Sequence, residues 1–141
     1  MSNYILNGIM GFCVGDALGV PVCYFERAKL RNDPVIDMRA YGSHDQPAGT
    51  WSDNVSLTLC LMDSLTEGLD YKETMGNFLK WLDEADYTPH GKTFVERNSI
   101  KNAIKRFSDG ITPLECGGKS ENDNGNGSLM RILPILFYLR S

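Results

Sequence analysis

From residue 53 to 67 the chain places Leu57, Leu61 and Leu65 on one helical row and Val55, Leu59 and Met62 on another, so apolar side chains cover most of the circumference. A helix of that kind does not lie on a surface. Other elements must surround it, which makes it the centre of the fold. Immediately before it stand Gly49, Thr50, Trp51, Ser52, Asp53 and Asn54. Ser, Asp and Asn accept hydrogen bonds from the free N–H groups at a helix start, so the plain account of this polar triplet is capping. The alternative is that these oxygens are ligands.

Neighbouring segments supply the surroundings. From residue 3 to about 18, Ile5, Ile9, Cys13 and Ala17 step by four, as do Leu6, Met10, Val14 and Leu18, which predicts a helix with a broad buried stripe. Gly8, Gly11 and Gly15 each cost that helix about 1 kcal/mol relative to Ala. Either a closely packed helix or a closely approaching ligand must offset the cost, and Gly8 and Gly11 are read as packing positions. Gly19 and Pro21 end the helix, Gly19 as a C-terminal cap. Residues 25 to 49 carry turn signals at Asp33-Pro34, Tyr41-Gly42-Ser43 and Gln46-Pro47, and read as loop with room for one short helix or extended piece.

A third helix follows Asp70, with Glu73 in capping-box register and Met75, Phe78, Leu79 and Leu82 on its apolar face. A fourth has Asn98 or Ser99 as its cap, Ile100, Ala103, Ile104 and Phe107 inside, and Gly110 as its stop. Residues 116 to 127 read as loop. The last helix runs from 128 to about 140 through Leu129, Met130, Ile132, Leu133, Ile135, Leu136 and Phe137, with a kink expected at Pro134. Nothing alternates with period two, so the prediction is a single all-α domain over residues 1–141.

Composition narrows the partners. A net charge of −4 argues against non-specific binding of nucleic acid or anionic membranes. The four cysteines, Cys13, Cys23, Cys60 and Cys116, form no C-x-x-C pair, so free thiols in a reducing compartment are expected rather than a zinc site. Gly8, Gly11, Gly15 and Asp16 interrupt any signal-peptide core, and no apolar stretch is read as reaching the roughly 18 residues of a membrane span. The expected location is the cytoplasm.

Three stretches remain: Gly15, Asp16, Ala17, Leu18 and Gly19; Gly49, Thr50, Trp51, Ser52 and Asp53; and Gly125, Asn126, Gly127, Ser128, Leu129, Met130 and Arg131. The last is a glycine-rich loop before a helix, where free N–H groups can receive an anion, although a linker capped by Ser128 reads the same way. In this order the three resemble the ADP-ribosylglycohydrolase family, which includes the dinitrogenase reductase-activating glycohydrolases. The resemblance implies an orthogonal multi-helix fold and a site with two divalent ions, usually Mg²⁺. Ser52, Asp53 and Asn54 match the family's metal-binding stretch, so all three are expected as metal ligands, with Asp53 and Asn54 the catalytic pair. Gly125, Asn126, Gly127 and Ser128 are expected to hold ADP-ribose through its phosphates and adjoining ribose, with Met130 and Asp16 among the substrate-binding residues. The implied reaction hydrolyses the bond at the anomeric carbon of the distal ribose, releasing ADP-ribose from a protein side chain or small acceptor.

Three departures bear on that expectation. Asn54 stands where the family pattern has a second Asp, and Val55 where it prefers a hydroxyl residue. An amide oxygen still ligates, but one negative charge is gone and weaker Mg²⁺ binding is expected. Cys23, seven residues after Asp16, falls where the family carries a glutamate. Members of the family are also longer and take further ligands from an Asp-x-Asp cluster that this sequence lacks, since Asp83, Glu84 and Asp86 read as a solvated face. The chain is therefore expected to be an N-terminal portion or shortened relative with impaired hydrolysis. The alternatives are a degenerate ADP-ribose-binding or protein-interaction module, and one half of a split enzyme. The apolar last helix, lacking cover, predicts self-association or a partner chain.

Overall fold

The structure, a computed structural model, describes residues 3–94 and 97–140, and all regular secondary structure among them is helical. The chain opens with α1 (Tyr4–Gly19). A short α2 (Arg27–Asn32) interrupts the irregular connection, and α3 (Asp53–Leu65), α4 (Tyr71–Glu84), α5 (Asn98–Ser108) and α6 (Leu133–Tyr138) follow.

The central position falls to α3, which packs against α4, α1, α6 and the 3-10 turn Leu129–Arg131. Its Leu57 and Cys60 join Phe78 and Trp81 of α4 and Ile100 and Ile104 of α5 in one core cluster. Each large apolar side chain buried there contributes about 1.5–3 kcal/mol, so this cluster contributes substantially to stability. Ser56, Thr58 and Ser64 are buried on the same helix. Their hydroxyls donate back to the carbonyls of Ser52 (3.2 Å), Asn54 (2.8 Å) and Leu61 (2.9 Å), which lets α3 bury polar residues without stranding a donor. At the start of α4 the Asp70 carboxylate accepts from the N–H groups of Lys72 and Glu73, as a cap should. Gly110, at φ +92°, follows α5 in the left-handed region that favours glycine.

Several details differ from the sequence reading. Gly19 is an ordinary helical residue, and the chain passes from it into the 3-10 turn Val20–Val22, where Pro21 sits early enough that its missing N–H costs nothing. Neither Asn98 nor Ser99 caps α5; Arg97 takes the N-cap position and offers no side-chain acceptor. The last apolar segment is not one kinked helix but the turn Leu129–Arg131 followed by α6. Pro134 falls in the first residues of α6, so it starts a helix rather than bending one. Finally, and contrary to the expectation from sequence, the segment Tyr4–Val22 is long and apolar enough to cross a membrane by length and composition. Its glycines leave that composition apolar, and Asp16 is its one charged residue.

Although α1 is apolar on every side, the residues it buries are Ile9 and Ala17. Leu6, Met10 and Val14 stay exposed, as do Leu136 and Leu139, so apolar surface is exposed on the first helix as well as at the last, where it was expected. The two helices meet at Gly8, where a Cβ would lie 2.8 Å from the Phe137 ring. Gly8 is thus the packing position expected. Gly11 is not, because no atom lies within 4 Å of a Cβ built on Gly11, Gly15 or Gly19. Gly15→Ala should therefore raise the unfolding free energy by about 0.5–1 kcal/mol, whereas Gly8→Ala, which must displace Phe137, should gain nothing or lose about 1 kcal/mol. Urea denaturation of both variants checks the contrast, and equal shifts would refute the packing role of Gly8.

Candidate active site

Asp16 comes from the last turn of α1 and meets the first turn of α3. Its carboxylate accepts from the Ser52 backbone N–H (2.6 Å), the Ser52 hydroxyl (2.8 Å to Oδ1) and the Asn54 side-chain amide (2.7 Å). Ser52 is also the N-cap of α3, its Oγ accepting from the Asn54 N–H at 3.2 Å. Capping and site-building therefore coexist in one hydroxyl, whose proton goes to Asp16 while a lone pair closes the helix.

Asp53 is the first residue of α3 and is buried. The Arg97 guanidinium donates to its Oδ2 and lies 3.3 Å from the Met130 sulfur. Burial raises the Asp53 pKa, and the Arg97 hydrogen bond and charge oppose that rise. The α3 dipole also favours a negative charge in this turn.

A cleft of about 440 Å³ opens beside the cluster. Gly11, Gly15 and Gly19 form one wall, and Asp16, Ser52, Asn54 and Arg97 contribute the polar side, with Cys23 and His44 also at its lining. A tight turn delivers His44. Gly42 lies so close to Pro21 that a Cβ would be 1.8 Å from the proline carbonyl oxygen, and the Ser43 N–H donates to that same oxygen at 2.9 Å. Tyr41 and Asp45 on either side adopt left-handed φ values of +66° and +51°, which non-glycine residues rarely do. The His44 ring is flanked by Phe94 and Tyr24, with centroids 5.7 and 6.0 Å away, and its Nε2 is buried without a partner.

Gly125, Gly127 and Ser128 border a second cavity of about 230 Å³, with Ser99, Ile100 and Arg131. The geometry of Arg131 accounts for this. Its guanidinium lies over the Phe78 ring at 4.8 Å and donates to the Gly127 carbonyl at 2.7 Å, holding the loop towards α4 and α5. Exposed Asn126 contributes its carbonyl, which accepts from the Met130 N–H at 3.0 Å. The loop feeds a three-residue turn, in which too few peptide dipoles align to give the anion-holding end of a longer helix. Met130 joins this stretch to the Asp53 cluster, through its sulfur on Arg97 and its carbonyl, which accepts from Thr58 at 3.5 Å.

Mg²⁺ takes hard oxygen donors. Asp53 Oδ1 and Asn54 Oδ1 are both buried without a hydrogen-bond partner, so these two residues fit such an ion. Ser52 Oγ, engaged with Asp16 and the Asn54 N–H, has one lone pair left. Among the described residues no three His, Cys, Asp or Glu side chains come together in a metal-binding group. Neither Arg97 nor His44 stands out in the sequence. A carboxylate opening a buried helix demands a cation, which signals that some basic residue must arrive, but not which one. His44 sits between turn residues with no pattern to mark it.

Fold and cluster together define an all-helical protein that gathers oxygen-bearing side chains at the N-terminus of its central helix. The sequence profile of the ADP-ribosylglycohydrolase family matches residues 2–141, and the chain belongs to that family. Its relatives include the ADP-ribosylarginine hydrolase of Pseudomonas putida, 28% identical over 137 residues, an alignment covering 95% of this chain and 36% of that protein. The ADP-ribosyl-(dinitrogen reductase) glycohydrolase of Rhodospirillum rubrum is 28% identical over 141 residues, with 92% of this chain and 42% of that protein covered. A solved structure described as an ADP-ribosylglycohydrolase-related protein complex superposes with a TM-score of 0.67 at 31% identity, over 93% of this chain and 41% of that one. The all-α fold expected from the resemblance is thus found, and the chain spans well under half the length of the relatives it matches.

Asp16→Ala would strand the donors of Ser52 and Asn54 and should lower the unfolding free energy by about 2–4 kcal/mol, with Asp16→Asn, which keeps one acceptor oxygen, falling between. Denaturant titration measures this, and a loss under about 0.5 kcal/mol would mean that water replaces the carboxylate. Because folding raises the Asp53 pKa, its favourable share of stability is complete below the unfolded value and is lost as pH climbs through the folded one. A ¹³C carboxyl titration should accordingly put the Asp53 midpoint above the ordinary aspartate value; a lower midpoint would mean that Arg97 outweighs burial.

Proposed function

We propose that this chain contributes one wall of an ADP-ribosyl site and serves hydrolysis of the glycosidic bond joining ADP-ribose to a protein side chain. The observation that carries this reading is the hydrogen-bond set from Asp16 to Ser52 and Asn54, beside a cleft whose glycine wall leaves the α1 backbone open to a ribose or phosphate. Asp16 orients Ser52 and Asn54. Asp53 and Asn54 would hold Mg²⁺ through their unpartnered oxygens. The ion, when bound, supplies Lewis-acid polarisation of ribose oxygens and eases the build-up of charge in an oxocarbenium-like transition state. The substrate class follows from the names of the relatives, which act on ADP-ribosylarginine and on ADP-ribosylated dinitrogen reductase.

A second reading, an ADP-ribose-binding module without turnover, is favoured by Cys23, which lines the cleft where the family pattern has a glutamate. One pair of measurements separates the two. ADP-ribose is titrated into the chain by calorimetry with Mg²⁺ and then with a chelator, and release of ADP-ribose from an ADP-ribosylated arginine peptide is followed in parallel. Binding with turnover supports hydrolysis, binding alone supports the module, and no heat in either buffer removes both. Asn54→Asp restores a ligand charge and should tighten Mg²⁺ binding about tenfold; an unchanged isotherm would show that residue 54 does not limit the site.

A further inference from the structure

A cation held by Asp53 and Asn54 leaves Arg97 unexplained. Arg97 stands at the N-cap position of α5, with extended φ −78° and ψ 129°, where a positive side chain opposes the helix dipole and caps nothing. Local structure therefore gives no reason for an arginine. Its guanidinium instead reaches Asp53 Oδ2, and the two ends of that pair differ in exposure: the Arg97 side chain is 31% exposed and the Asp53 side chain 0%. Arginine keeps its charge at any pH a protein meets, so the pair is permanent on the cationic side.

The other Asp53 oxygen is the one without a partner. A divalent ion on Oδ1 would stand about 5 Å from a guanidinium on Oδ2 of the same carboxylate, and two cations so close repel strongly when shielded from water. Each therefore weakens the other's hold on Asp53. The partly exposed position of Arg97, at the lining of the cleft, gives its long side chain somewhere to go.

Resting on the cation reading of Asp53 and Asn54, we propose that Arg97 is a built-in counter-cation for Asp53 that competes with a divalent metal ion for the same carboxylate, and leaves it for the cleft when the ion binds. Metal-free, the guanidinium neutralises a buried charge that would otherwise destabilise the first turn of α3. Metal-bound, the guanidinium already at the cleft lining is freed of its carboxylate partner. Its departure also ends its contact with the Met130 sulfur, so occupancy at Asp53 is felt by the turn that succeeds the glycine-rich loop.

The test is Mg²⁺ calorimetry on the full chain and on Arg97→Gln, with thermal melts of both. Arg97→Gln should bind Mg²⁺ about tenfold more tightly or better, and its midpoint should rise with Mg²⁺ more than that of the unsubstituted chain. Equal affinities would overturn the competition and leave the Asp53–Asn54 cation reading standing. No Mg²⁺ binding to either protein, nor to Asn54→Asp, would overturn that reading and the competition with it. Since Arg97→Gln strands a buried carboxylate and can unfold, a second measurement uses the unsubstituted chain. The Arg97 Nε–H signal in a ¹⁵N-labelled sample should shift on Mg²⁺ addition and return on chelation. A signal that stays put while Mg²⁺ saturates the protein would overturn the proposal whatever the variant does.

Discussion

The Asp16 carboxylate is the joint on which this structure turns. Three donors from residues 52 and 54 converge on it, and hydrogen bonds to a charged acceptor are roughly twice as strong as neutral ones. The consequence reaches both helices it joins. At α3 it aligns the N-cap serine, so the helix begins at Asp53 with its buried carboxylate and the adjoining amide oriented together. At α1 it supplies the polar tie for a helix whose apolar contacts are few, since Ile9 and Ala17 are what it buries.

Around that joint the molecule divides by what each helix gains from its neighbours. The faces of α3, α4 and α5 interlock through Leu57, Trp81 and Ile104, and the tie between Cys60 and Asn77 adds a bond across α3 and α4, with the Asn77 amide 3.3 Å from the Cys60 carbonyl. The helices at the ends of the chain, α1 and α6, touch through Gly8 and Phe137 while much of their apolar surface faces water. Arg131 belongs to the interlocked part. By lying on Phe78 it draws the glycine-rich loop to the α4–α5 side, which is why that loop and the Asp16 cleft are separate spaces linked by Met130 and Arg97.

Repeated contact was legible in α3 and α4 but not in α1, whose predicted row Leu6, Met10 and Val14 is exposed, and singular contact was not legible. The rows of α3 and the cap and stripe of α4 follow from spacing, because each position is supported by others one turn away. Gly8 and Gly11 look identical in such a pattern, yet one meets Phe137 and the other meets nothing. Pro134 is compatible with both a kink and a helix start, and only the turn at Leu129–Arg131 decides between them. The candidate site was legible where it lies within one short stretch, Ser52 to Asn54, and through the family pattern at Asp16. Arg97 and His44 arrive from other parts of the chain by tertiary contact, which no local rule encodes.

The sparse burial of α1 has a dynamic consequence. Elements with few buried contacts open locally at lower free energy than the core and do so as units. The helix carrying Asp16 is then expected to open more readily than the α3–α4–α5 body, to which the Asp16 carboxylate ties it while Gly8 meets Phe137 of α6. A solute that enters the cleft lies between the two, and its binding energy is shared with the docking of α1. Affinity at this cleft is thus thermodynamically coupled to the fraction of time α1 spends seated.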